Sequence, residues 1–87
     1  MAFNLRKELR NFGWNGDPDN FKRAIYDARM EYYSYWSEDE LLVNPKEGQI
    51  LCKVVRDKCN TNCISDSLIL ITMLNMRKQK WSKDANE

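Results

Sequence analysis

The sequence predicts an all-α domain, a small bundle of about four helices plus a short connecting helical turn, with its central helix near the C-terminus. Three observations carry that expectation. Apolar residues recur at helical spacing in segment after segment, and most segments open on a capping residue or a proline suited to the first helical position. The run Leu68-Ile69-Leu70-Ile71-Thr72-Met73-Leu74-Asn75-Met76 is apolar at almost every residue, and a helix that is apolar all round must be surrounded. The same run also suits a buried strand in composition, but no other segment alternates with period two to pair with it.

Residues 3–12 place Leu5, Leu9 and Phe12 on one side and Arg6, Lys7, Glu8 and Arg10 on the others, which predicts a short amphipathic helix ended by Gly13. Asp17-Pro18 opens the second helix as N-cap and first helical residue. Its expected core stripe is Phe21, Ala24, Ile25, Ala28, Tyr32, Tyr35 and Trp36, while Tyr26, Met30 and Tyr33 repeat on the opposite side. Ser37-Glu38-Asp39-Glu40 fits a capping box leading into the brief apolar turn Leu41-Leu42-Val43. Asn44-Pro45 repeats the N-cap and first-position pattern, and the third long helix follows over residues 45–58 with Ile50, Leu51, Val54 and Val55 on one face. Gly48 weakens that helix. Asn60-Thr61-Asn62 is a polar stop, and Ser65 or Asp66 caps the final helix, with Ile64 placed for a hydrophobic staple.

The whole chain, residues 1–87, reads as one domain, with residues 82–87 expected to fray. A domain of this size buries only about 60 to 65% of its unfolded surface. Its core is therefore small, and a homodimer interface is one natural source of further burial.

Fourteen Lys and Arg against thirteen Asp and Glu give a net charge of +1, far from the basic excess of a dedicated phosphate binder. The asymmetry along the chain is mild: residues 1–43 hold six basic and eight acidic side chains, for −2, and residues 44–87 hold eight and five, for +3. Cys52, Cys59 and Cys63 make an odd number at spacings that match neither a zinc site nor a redox pair. They read as small thiols in a reducing cytoplasm, with a Cys59 to Cys63 disulfide or a nucleophilic thiol as the alternatives. No apolar stretch approaches the ~20 residues that span a bilayer, so neither a signal peptide nor a membrane segment is expected.

There is no histidine, which removes the commonest general base and metal ligand near neutral pH. An enzyme is not expected, and no cofactor, metal or small-molecule substrate is indicated. Asn15, Asp17, Asp19 and Asn20 crowd oxygen atoms together but lack the glycine and the bidentate glutamate of a calcium loop, and read as a turn and helix cap. The polar connection from Cys59 to Ile64 is longer than the usual three or four residues of a helix-turn-helix and lacks its customary glycine.

The expected function is a non-catalytic helical protein-protein interaction or regulatory module. Its candidate partner-binding residues are Tyr26, Met30, Tyr33 and Trp14, because Tyr, Trp and Met concentrate at interface cores. The opposing reading of the same side chains is a central helix covered on both sides within one monomer. The alternative function is a small nucleic-acid-binding regulator using the basic run Arg77, Lys78, Lys80, Trp81 and Lys83, extended by Arg6, Lys7 and Arg10.

Overall fold

The computed structural model describes residues 4–79. They form five α-helices and, among the described residues, no strand: α1 Leu5–Asn11, α2 Pro18–Tyr32, α3 Glu38–Val43, α4 Pro45–Lys58 and α5 Asp66–Lys78. The all-α bundle that the periodicity predicts is the fold of the chain.

Local chemistry sets most of the boundaries. Asn4 caps α1 by accepting from the Lys7 amide at 3.1 Å, and Gly13 takes the positive φ of 87° that the exit from this helix requires. Asp17 accepts from the Asp19 amide, with Pro18 as the first residue of α2. The capping box at α3 forms on both sides: Ser37 Oγ accepts from the Glu40 amide, and Glu40 Oε1 accepts from the Ser37 amide, each at 3.1 Å. Ser65 caps α5 through the Leu68 amide, and the adjacent Ile64 is buried. Asn60, at φ 56°, supplies the left-handed residue that closes α4.

Asn44 departs from its expected role. Its side chain caps no amide of α4; instead Nδ2 donates to the Glu40 carbonyl at 2.7 Å and satisfies the end of α3.

The core joins Leu9 of α1, Phe21, Ile25 and Ala28 of α2, Leu41 of α3, Leu51, Cys52 and Val55 of α4, and Ile69 and Met73 of α5. Burying each of the larger side chains contributes about 1.5 to 3 kcal/mol. Helix α4 packs against α2, α3 and α5, and α2 also packs against α1 and α5. Gly48 is buried where α4 meets α3: a Cβ there would stand 3.1 Å from the Leu41 carbonyl oxygen. The residue that weakens the helix therefore permits a close approach between helices.

Two expectations fail in detail. Helix α2 ends at Tyr32, not at the Trp36 end of the expected stripe, and Tyr33 follows at φ −137° and ψ 36°. The break changes which tyrosines face inward: Tyr33 is 6% exposed, while Tyr32 and Tyr35 are 59% and 97% exposed. Helix α5 is also not enclosed all round. Leu68, Ile69, Thr72, Met73 and Met76 are buried, but Leu70 and Leu74 are only half-buried and Ile71 is 45% exposed.

Candidate protein-binding face

On the helical wheel the buried residues of α5 fall within an arc of about 140°, and Leu70, Ile71 and Leu74 fall together within an arc of about 100° on the other side. Ser67 precedes this stripe by one turn and Lys78 follows it by one turn. The neighbours α2, α3 and α4 cover the inner side of the helix. Thr72 is the one polar side chain within the buried arc, and its hydroxyl donates to the Leu68 carbonyl at 2.7 Å, so the helix satisfies it internally. Three aliphatic side chains on two adjacent turns thus share one outward arc, in which Leu70 also packs against the core and Lys78 falls one turn further on.

The four aromatic and methionine candidates read from the sequence do not form one surface. Met30 is exposed and Tyr26 half-buried on α2. Tyr33 turns into the core, where its hydroxyl donates to Glu47 Oε2 at 2.7 Å and its ring meets Trp36 edge-on at 5.5 Å. Burial, with the hydrogen bond and the negative charge of Glu47 acting in the same direction, pushes the Tyr33 phenol up to about 12. Trp14 is half-buried, packs at 6.0 Å from Phe21 and donates from Nε1 to the Cys59 carbonyl at 3.2 Å. Its role here is to pin the turn before α2 to the end of α4. The exposed apolar side chains at this end of α2 are Met30, Tyr32 and Tyr35.

Of the basic run, Lys80, Trp81 and Lys83 lie outside the described residues. Arg77 and Lys78 close α5. Arg77 Nη1 approaches Glu38 at 3.6 Å and Asp39 at 3.5 Å, so it is engaged by the start of α3. Glu38 is shared with Arg29, whose Nη1 lies 2.7 Å away and whose Nη2 donates to the Trp36 carbonyl. This clasp joins α2, α3 and α5 around the segment that follows Tyr33.

The three cysteines are free thiols: Cys52 buried, Cys59 half-buried and Cys63 exposed. Burial pushes the Cys52 thiol up to about 12, with the carboxylate of Asp66 adding to the rise and Arg56 opposing it. Burial alone pushes Cys59 up to about 11. Both are protonated near neutral pH, the less nucleophilic form. Among the described residues no group of three or more acidic, cysteine or histidine side chains is arranged to hold a metal. Asp17 of the oxygen-rich turn is occupied as a helix cap. A depression of about 100 Å³ lies between Leu5, Lys22, Thr72, Asn75 and Gln79, smaller than the several hundred Å³ of most ligand pockets.

Among the described residues no helix is long and apolar enough to cross a membrane. Compared with protein-family models, curated proteins and solved structures, the chain matches none.

The signal for the α5 face was present in the sequence as the absence of a polar side to this helix. What the sequence lacked was the phase, because an apolar helix does not reveal which of its sides the neighbours will cover.

Proposed function

We propose that the chain is a non-catalytic helical interaction module that works in the cytoplasm and assembles with a second copy of itself through the outward face of α5. The observation that carries this reading is the cluster of Leu70, Ile71 and Leu74, an aliphatic stripe left partly open on a helix whose other side is built into the core. Exposed contiguous apolar surface favours contact with another molecule, since removing it from water stabilises by about 25 cal/mol per Å².

A second copy is the occupant that fits best. Two such stripes related by a two-fold axis present the same aliphatic chemistry to each other, which is the requirement of an isologous interface. The net charge of +1 leaves little repulsion between copies. A domain of 87 residues also gains proportionately from added burial. The free thiols and the exposed Cys63 are in keeping with a reducing compartment. The absence of histidine and the raised thiols of Cys52 and Cys59 support the non-catalytic part of the reading.

Methyl NMR over a concentration series tests the face directly. The Leu70, Ile71 and Leu74 resonances are expected to shift together on dilution while Met30 stays fixed. Spectra that do not change with concentration, or shifts confined to Met30 and its surroundings, would overturn the reading.

A further inference from the structure

We propose a second, independent surface: the end of the bundle where α1, α2 and α5 meet binds the phosphate backbone of a nucleic acid, with one phosphate seated against Lys22, Asn75 and Gln79. The depression at this point is also lined by Leu5 of α1 and Thr72 of α5. Lys22 is half-buried there and forms no ion pair among the described residues. Nor do the side-chain amides of Asn75 and Gln79 take part in any hydrogen bond among the described residues. Thr72 has already spent its hydroxyl proton on the Leu68 carbonyl. The lining residues therefore include one ammonium-bearing and two amide-bearing side chains able to donate N–H to oxygen, the donor types that hold phosphate backbones.

The arrangement of cations over the bundle points the same way. Arg29, Arg56, Lys58 and Arg77 are each paired with a carboxylate. The cations without such a partner on α1, α2 and α5 are Arg6, Lys7, Arg10, Lys22, Arg23 and Lys78; elsewhere among the described residues only Lys46 and Lys53 of α4 are unpaired. Arg6 and Lys7 follow Leu5 in the chain, one and two residues from the lining of the depression, whereas Lys78 lies on the side of α5 that carries the aliphatic stripe. Glu8, Asp17, Asp19, Asp27, Glu31 and Asp66 lie on the same segments, six carboxylates against eight cations, and Glu31 and Asp66 are engaged by Lys58 and Arg56 of α4, which leaves a moderate local excess of positive charge. Cations spread over three helices match a ligand whose negative charges repeat, and their separate contacts add. The moderate excess sets the expected affinity: weak, independent of base sequence and steeply dependent on salt.

Fluorescence anisotropy with a labelled single-stranded oligonucleotide of mixed sequence, titrated at several salt concentrations, tests the proposal. The exposed double variant Arg6→Glu with Lys7→Glu, and separately Lys22→Gln, are compared with Lys46→Glu with Lys53→Glu on α4, each checked for helix content by circular dichroism. The α1 double variant is expected to weaken binding about tenfold or more and to flatten the salt dependence by about two phosphate contacts. Lys22→Gln is expected to weaken it several-fold, and the α4 variant to leave it unchanged. If Lys22→Gln does not fold, the α1 variant alone decides. No binding at low salt, unchanged binding by the α1 variant, an equal loss in the α4 variant, or binding of anionic phospholipid vesicles in place of the oligonucleotide would each overturn the proposal. None of these substitutions touches Leu70, Ile71 or Leu74, so the result is separate from that of self-association.

Discussion

The hydroxyl of Tyr33 donates to Glu47 across 2.7 Å and so ties the residue after the last turn of α2 to the first turn of α4. This contact holds Tyr33 inside the bundle and leaves Tyr32 and Tyr35 outside. A folded-state value raised from 10.0 to about 12 means that the native protein holds the phenolic proton more tightly than the unfolded chain. The corresponding stabilisation is complete below pH 10.0 and is lost as pH rises toward about 12. Ultraviolet titration is expected to show one tyrosine ionising late in the native protein, and Tyr33→Phe is expected to remove that late phase and lower stability by about 1 kcal/mol. A native titration with no late phase would contradict the placement of Tyr33.

The end of α2 shows what was legible in the sequence and what was not. Proline at the first position marks the starts of α2 and α4, and Ser37 with Glu40 marks that of α3, because these signals act through adjacent backbone groups. The segment Tyr32-Tyr33-Ser34-Tyr35-Trp36 contains neither glycine nor proline, so its apolar spacing continued the helical pattern. Its conformation is instead accompanied by distant contacts, Tyr33 with Glu47 and Arg29 with the Trp36 carbonyl. The face of α5 was hidden for a related reason: which side of an apolar helix is covered depends on where α2, α3 and α4 come to rest.

The clasp around Glu38 is expected to contribute measurably to stability. Arg29 and Glu38 are 18% and 15% exposed as side chains, whereas Arg77 is 52% exposed. Removing the well-covered partner leaves the other charge poorly solvated, so Arg29→Ala is expected to cost about 2 kcal/mol, discounted for the remaining exposure. Arg77→Ala is expected to cost less than about 0.5 kcal/mol. Urea denaturation of both variants checks the order, and equal losses would contradict it.

The thiols are expected to separate by accessibility and ionisation. Alkylation near pH 8, followed by peptide mass spectrometry, should label exposed Cys63 first and Cys59 slowly, with Cys52 labelled only on unfolding. Native-state labelling of Cys52 ahead of Cys63 would contradict the burial of α4 against α5.

Sedimentation equilibrium of the wild-type chain beside Ile71→Glu is the most direct test of the outward face of α5. A chain of 10.4 kDa is expected to approach twice that mass as concentration rises. The variant, which puts a charge into the middle of the aliphatic stripe, is expected to stay at the single-chain mass with its helix content intact. A wild-type protein that keeps the single-chain mass at every concentration, or a variant that associates as strongly as the wild type, would contradict assembly through this face.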